Sequence, residues 1–130
     1  MKYALNIHGA PSSHAAPLSA LRFAEAAVAR GHEILRVFFY HDGVHTANEL
    51  TVAAQDELDL TAAWASFGAD HDIELTICIA AALKRGLLDA SEARRYDKAG
   101  ADVHPSFTVV GLGQMVDAAM NADRVITFAA

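Results

Sequence analysis

Apolar residues follow two kinds of pattern along the chain, and their order predicts five strands separated by helices. Short runs rich in β-branched and aromatic residues, bounded by Gly, Pro or charged residues, are typical of strands. The third run is apolar enough to be buried on both faces of a parallel sheet. The five runs are KYALNIH (2–8), HEILRVFFY (32–40), DIELTICIA (72–80), SFTVVG (106–111) and DRVITF (123–128).

A helical pattern follows the first predicted strand. Pro17 suits the first turn of this helix, and Gly31 suits the position just after its end. The helix is expected to begin at one of three residues that commonly precede helices or turns: Ser12, Ser13 or His14.

Three further segments have helical spacing. Leu60, Trp64 and Phe67 recur on one helix face, and we expect Trp64 and Phe67 in the core. The segment AAALKRG (80–86) predicts a short helix that stops at its glycine. A stripe near the C-terminus predicts the last helix: Leu112, Met115, Val116, Ala119 and Met120. The remaining long segments, 41–55 and 87–105, are predicted loops, the second with one helical turn.

The alternation of strands and helices predicts an α/β protein of one domain, residues 1–130, with a flavodoxin-like, doubly wound parallel sheet. Five strands suggest the order 2-1-3-4-5. In such sheets, ligands bind at the carboxyl ends of the strands where the order reverses, here between strands 1 and 3. This order places Cys78 opposite the loop HGAPSSH (8–14), with GLG (111–113) on the same rim.

Composition narrows the possible partners. Hydrophobic residues make up 53% of the chain and the mean hydropathy is +0.19, which indicates a subunit that buries surface against partners or an unusually large core. A net charge of −6 without a basic run argues against direct binding of nucleic acid. No run approaches the roughly 18 apolar residues of a membrane span, and no signal peptide is evident. We therefore expect a cytoplasmic protein without membrane contact.

Cys78 is the only cysteine, and the pattern leaves two interpretations open. Beside Ile77 and Ile79 it could be a small core residue, because free cysteine is often buried. It could instead be reactive, because it lies where a strand passes into a helix, and helix N-termini favour the thiolate. Lys84 and Arg85 follow six and seven residues later, and we expect them to be solvated or to face a partner.

The other candidate residues carry weaker signals. Seven histidines occur, but without an HExxH motif or a second cysteine no metal site is predicted. His14 could lie near Cys78 and act as a proton relay. Ser12 and Ser13 with Gly9 could cradle an anion, although turn chemistry explains them equally well. The GLG segment lacks the third glycine of a dinucleotide-binding fingerprint.

Three longer stretches carry a resemblance that covers nearly the whole chain. They are EILRVFFYHDGVHTAN (33–48), TICIAAALKRGLLD (76–89) and FTVVGLGQMVDAAMNADRVITF (107–128). In these stretches the sequence resembles the DsrE/TusD family of sulfur-relay proteins. The resemblance implies a flavodoxin-like fold and a sulfurtransferase subunit whose catalytic residue, Cys78, carries a persulfide without a cofactor.

The resemblance also implies partners. It implies a hexamer of two heterotrimers with two related small subunits, similar to DsrF and DsrH or to TusC and TusB. A small acceptor protein with a C-terminal cysteine, similar to DsrC or TusE, is expected to dock near Cys78. One family branch relays sulfur to the 2-thiolation of wobble uridine in tRNA, the TusD role, and the other serves dissimilatory sulfur oxidation, the DsrE role. The stretches RVFFYHDGVH (36–45) and DVHPSF (102–107) favour the DsrE branch.

Two hypotheses from other classes remain open. The chain could be a non-catalytic module that holds a small ligand in the crevice while Cys78 is buried. It could also be a subunit that only scaffolds a catalytic neighbour.

Overall fold

The computed structural model describes residues 1–129, and its five strands form one sheet. The strands are β1 (Lys2–Ile7), β2 (Glu33–Phe39), β3 (Leu75–Cys78), β4 (Phe107–Val110) and β5 (Arg124–Phe128). All neighbouring strands pair in parallel, which confirms the predicted α/β fold. Over residues 1–129, no helix combines the length and the apolar composition that a membrane crossing needs.

The predicted strand order 2-1-3-4-5 is wrong. The observed order is β4-β3-β2-β1-β5, so β2 lies between β1 and β3 instead of at the edge. Burial gives the physical reason, because Val37, Phe38 and Phe39 are at most 1% exposed, as a strand flanked on both sides and both faces requires. The strand order therefore reverses between β1 and β5, and not between β1 and β3.

Five α-helices and one 3₁₀ helix connect the strands of residues 1–129. They are α1 (Ala16–Ala29), the 3₁₀ helix (His41–Ala47), α2 (Leu60–His71), α3 (Ile79–Lys84), α4 (Ala90–Arg95) and α5 (Gly113–Asn121). α4 supplies the single helical turn predicted in 87–105. The 3₁₀ helix falls in a predicted loop, because seven residues are too few to show a helical period in sequence.

The ends of α1 and α3 agree in part with the prediction. Pro17 lies in the first turn of α1, and Gly31 follows its end with a φ of +83°. Gly86 likewise follows α3 with a φ of +75°, a conformation that glycine adopts without strain. The predicted start of α1 is wrong, because the helix begins at Ala16 and the turn before it covers residues 11–13. The third strand is also shorter than predicted, since α3 begins directly after Cys78.

Helices cover both faces of the sheet. On one face, Trp64 of α2 contacts Phe39 of β2, with ring centroids 5.4 Å apart. Trp64 and Phe67 are 0% and 5% exposed, which confirms their expected place in the core. On the other face, Arg36 of β2 donates two hydrogen bonds to Gln114 in the first turn of α5, at 2.9 and 2.6 Å.

Most of the apolar stripe predicted on the last helix faces away from the sheet. Met115 is half-buried and packs against the core. Leu112, Val116 and Met120 are 46%, 49% and 81% exposed. Because residues four apart lie on one side of a helix, these three form a continuous apolar patch, which we term the α5 surface.

Candidate functional site

Cys78 is the last residue of β3 and the residue that precedes α3. It is 3% exposed and belongs to the hydrophobic core. The sulfur is therefore buried, as the interpretation of Cys78 as a core residue predicted. Side chains alternate along a strand. Leu75 faces α2, where its side chain lies against Gly68. Cys78 therefore projects from the opposite face, which it shares with Thr76 and α5.

The strand register places two particular side chains beside Cys78. Val110 of β4 is its register partner on one side. On the other side, Phe39 pairs with Ile77, so the next residue, Tyr40, lies level with Cys78. The amide of Tyr40 donates to the Ile7 carbonyl at 2.9 Å, which shows that the strand pairing continues to this residue. Tyr40 and Val110 thus flank the cysteine on the same face of the sheet.

Tyr40 belongs to an aromatic cluster at this edge. Its ring stacks on Phe38 at 6.1 Å and contacts His41 at 4.2 Å and His8 at 5.8 Å between centroids. Burial lowers the pKa of His8, and the nearby charge of His41 lowers it further. Both effects disfavour the charged imidazolium form of His8.

The 3₁₀ helix is joined to α3 by an ion pair. Arg85 Nε donates to Asp42 Oδ1 at 2.8 Å, and Arg85 Nη1 donates to the Ala81 carbonyl at 3.0 Å. The hydrogen bond and charge of Arg85 hold the pKa of Asp42 below its usual value. The expectation that Arg85 is solvated or faces a partner is therefore wrong, because β2, which leads to Asp42, lies beside β3 and brings the carboxylate to Arg85. Lys84 is exposed, as expected.

Gly43 sets the path of the 3₁₀ helix across the end of β1. Its amide hydrogen lies toward two carbonyls, those of Tyr40 at 2.9 Å and His8 at 3.1 Å. A Cβ atom at this position would lie 2.1 Å from the Ile7 carbonyl oxygen. Only glycine fits this close approach of two backbone segments. The sequence showed an Asp-Gly turn here but not the reason for it.

The two segments that favoured one family branch are in contact through Phe39 and Phe107, whose ring centroids lie 5.5 Å apart. Asn48 and Val103 form an isolated bridge. The His104 amide donates to the Ala47 carbonyl at 2.8 Å. The end of the 3₁₀ helix is thus held by the segment that leads into β4.

The loop after β1 is not adjacent to Cys78, contrary to expectation. β2 lies between them, so Tyr40 and not the loop 8–14 is the neighbour of the cysteine. His14 is exposed, and its charge acts on Asp42. Ser12 and Ser13 are exposed in a turn, as turn chemistry alone explains. The GLG segment does follow β4 on the same rim as Cys78.

Comparison with known proteins supports the resemblance. A model of the DsrE/DsrF-like family matches residues 1–128. DsrE of Allochromatium vinosum, provisionally named a sulfurtransferase, is 45% identical over 98% of both chains. A sulfurtransferase TusD homolog of Pseudomonas aeruginosa is 49% identical over 98% of this chain and 97% of its own. Sulfurtransferase TusD of Salmonella newport is 44% identical over 98% of this chain and 100% of its own.

A solved structure has the same fold. The crystal structure of the YchN protein from E. coli matches with a TM-score of 0.78 and 16% identity, over 98% of this chain and 99% of that chain. This likeness concerns the fold alone. Together with the match to the family model over nearly every residue, the comparisons show that the chain belongs to the DsrE/DsrF-like family.

Proposed function

We propose that the chain is a sulfurtransferase that carries sulfur as a persulfide on Cys78 and exchanges it with the thiol of a small acceptor protein. The position of Cys78 carries this proposal. It is the only cysteine of a chain whose full-length relatives are named sulfurtransferases. It also ends β3 at the carboxyl edge of the sheet, directly before α3, although β2 and β1 separate it from the point where the strand order reverses.

Persulfide transfer needs one nucleophilic sulfur and no cofactor. The Cys78 thiolate attacks the outer sulfur of a donor persulfide, and a new S–S bond forms while the donor leaves as a thiolate. An acceptor thiolate then attacks the outer sulfur on Cys78 in the same way. Each step exchanges one S–S bond for another, so no external oxidant or reductant is consumed.

The burial of Cys78 limits access to its sulfur. The flanking side chains, Tyr40 and Val110, are themselves only half-buried and lie at the edge of the sheet. Displacement of one such side chain would open a path without unfolding the strands, since local openings cost less than global unfolding. We therefore expect slow reaction of Cys78 with small reagents in the isolated chain.

Intact-mass measurement after incubation with a small persulfide donor tests the proposal. Native protein should gain about one sulfur atom that a reductant removes, and Cys78→Ser should gain none while keeping its fold. Loading of Cys78→Ser at the native level would contradict the proposal.

We also propose that the chain works in a cytoplasmic assembly with two related small subunits. The α5 surface supports this part, because contiguous exposed apolar patches commonly mark interfaces. Native mass spectrometry of the co-expressed subunits should show two copies of each. A chain that stays alone beside its sister subunits would contradict this part.

Of the two family branches, we propose the relay of dissimilatory sulfur oxidation. Two segments favour this branch in sequence: 36–45, which includes Tyr40, and 102–107. The tRNA-thiolation branch is the alternative, because relatives of similar identity carry the TusD name. Deletion of the gene separates them. Loss of sulfur oxidation with normal wobble 2-thiouridine supports the proposal, and the reverse supports the alternative.

The burial of Cys78 also favours a second candidate, a non-catalytic binding module. In that case a ligand should protect the chain from unfolding equally well after Cys78→Ala. A scaffold subunit would instead leave sulfur transfer by the assembled complex unchanged in Cys78→Ser.

A further inference from the structure

An open groove lies at the end of α3 remote from Cys78. It has a volume of about 800 Å³ and is lined by the end of α3 and by the segments that follow α3 and α4. Apolar side chains and two lysines make up most of its lining: Leu83, Lys84, Gly86, Leu88, Tyr96 and Lys98. We term it the α3–α4 groove.

The groove carries positive charge in an acidic protein. Five of the ten basic residues lie between positions 84 and 98, with three acidic residues in the same span. Two of these acidic residues are engaged, since Asp89 caps α4 and Glu92 is buried. Across residues 1–129, neither Lys84 nor Lys98 has a carboxylate within salt-bridge distance. Both ammonium groups are exposed and available to a partner.

The groove also offers a positioned aromatic ring. Tyr96 is 48% exposed, and the guanidinium of Arg95 lies 5.5 Å from its ring centroid. A tyrosine has few rotatable bonds and gives a large contact area, so its ordering on binding costs little. Leu83 and Leu88 beside it complete an apolar floor.

We propose that the α3–α4 groove docks an acidic segment, with at least one apolar side chain, of the protein that exchanges sulfur with Cys78. This proposal rests on the proposed function. Charge complementarity selects the occupant, because Lys84 and Lys98 attract carboxylates while the floor takes up an apolar side chain. The net charge of −6 disfavours a nucleic acid in the same place.

α3 sets the distance between the groove and the cysteine. The helix follows Cys78 directly and ends at Lys84, so its six residues span about 9 Å. A docked segment therefore needs about three extended residues to bring a thiol or persulfide to Cys78. The ion pair of Arg85 with Asp42 ties the end of α3 to the 3₁₀ helix.

Two synthetic peptide persulfides test the docking site. The acidic peptide is Glu-Leu-Asp-Tyr-Gly-Gly-Cys and the basic one Lys-Leu-Lys-Tyr-Gly-Gly-Cys, each with an outer sulfur on its cysteine. The Cys78 thiolate attacks that sulfur, the S–S bond of the peptide breaks, and the peptide leaves as a thiolate, without net oxidation. At low salt, the acidic peptide should load Cys78 at least about fivefold faster than the basic one, and added salt should reduce the difference.

Charge-reversal variants test whether the preference for the acidic peptide arises at the α3–α4 groove. The double variant Lys84→Glu/Lys98→Glu should lose the preference for the acidic peptide, and Tyr96→Ala should weaken it. The control Arg22→Glu/Arg30→Glu, at exposed positions in α1 and directly after it, changes the net charge equally and should keep the preference for the acidic peptide. Equal loading by both peptides in the native chain, or a preference that survives reversal at the groove, would overturn the docking site.

Two further experiments distinguish a failure of the proposed docking site from a failure of the proposed function. Cysteine persulfide, which has no docking segment, should load the native chain and all these variants at one rate. If it does not load the native chain, the proposed function fails. The acidic peptide with serine in place of cysteine tests docking without transfer. It should shift the amide resonances of Leu83, Leu88 and Tyr96 in the native chain but not in the groove double variant, and unchanged resonances in the native chain would overturn the docking site.

Discussion

Arg85 and Asp42 form an ion pair, 2.8 Å from Nε to Oδ1, that joins α3 to the 3₁₀ helix. α3 begins directly after Cys78, and the 3₁₀ helix begins directly after Tyr40. The ion pair therefore joins the segment that follows Cys78, the proposed sulfur carrier, to the segment that follows its neighbour Tyr40.

The ion pair should make stability depend on pH. The pKa of Asp42 is lowered by the hydrogen bond from Arg85 and by its charge. A carboxyl group whose pKa is lower in the folded chain than in the unfolded chain stabilises the fold when it is ionised. This stabilisation is fully present above the pKa of the unfolded chain, 3.8, and it is lost as the pH falls through the lower pKa of the folded chain. Asp42→Asn should therefore lower the free energy of unfolding at pH 7 more than at pH 3, as measured by urea titration.

A matched control is Asp70→Asn, at an exposed position of α2 outside the ion pairs of residues 1–129. It should change stability little at either pH. If Asp42→Asn lowers the free energy of unfolding equally at pH 3 and pH 7, the charge of the Asp42 carboxylate does not stabilise the fold.

Tyr40 should control access to Cys78. The two residues directly follow the register pair of Phe39 and Ile77, and Cys78 is only 3% exposed. Tyr40→Ala removes one of the two side chains that flank Cys78. Alkylation of the Cys78 thiol in the folded chain by iodoacetamide should therefore become at least roughly tenfold faster. Tyr96→Ala, which alters a ring far along the chain from the cysteine, should leave the rate unchanged. An unchanged rate in Tyr40→Ala would mean that other atoms cover the sulfur.

Gly43 should be intolerant of a side chain. A Cβ atom would lie 2.1 Å from the Ile7 carbonyl oxygen, so Gly43→Ala forces the 3₁₀ helix away from β1. We expect a loss of roughly 1–3 kcal/mol in the free energy of unfolding, measured by urea denaturation. Gly100→Ala is the control, because nothing lies within 4 Å of the added atom. Equal stability of both variants would contradict the close contact.

The α5 surface should be required for assembly. Val116 lies at its centre and is 49% exposed, so Val116→Glu places a charge in the proposed interface without disturbing the core. Native mass spectrometry with the sister subunits should then show mainly single chains. Ala26→Glu, at an exposed position of α1, should assemble normally. Full assembly of Val116→Glu would place the subunit interface elsewhere.

The sequence predicted the strands well but their order badly. Apolar runs and glycines are local signals, so the five strands and the ends at Gly31 and Gly86 agree with the structure. Strand order depends on which face each crossover takes, and no local pattern shows that. The run Val37–Phe39, apolar on both faces, was the one available sign that β2 lies inside the sheet.

The error in order explains what the sequence missed at the site. Cys78 was found because it is the only cysteine and ends a strand. Its neighbour Tyr40 and the pair Arg85–Asp42 depend on β2 lying beside β3, so the predicted order pointed to His14 instead.

The transfer of labelled sulfur tests the central claim most directly. Native protein and Cys78→Ser are each incubated with a persulfide donor whose outer sulfur is a heavy isotope. After the donor has been removed, each protein is mixed with a thiol acceptor, and the intact masses of protein and acceptor are followed over time. The native chain alone should gain about one heavy sulfur atom, and the label should leave it at the rate at which it enters the acceptor. Equal labelling of Cys78→Ser, or label on the native chain that no thiol removes, would contradict a role of Cys78 as a sulfur carrier.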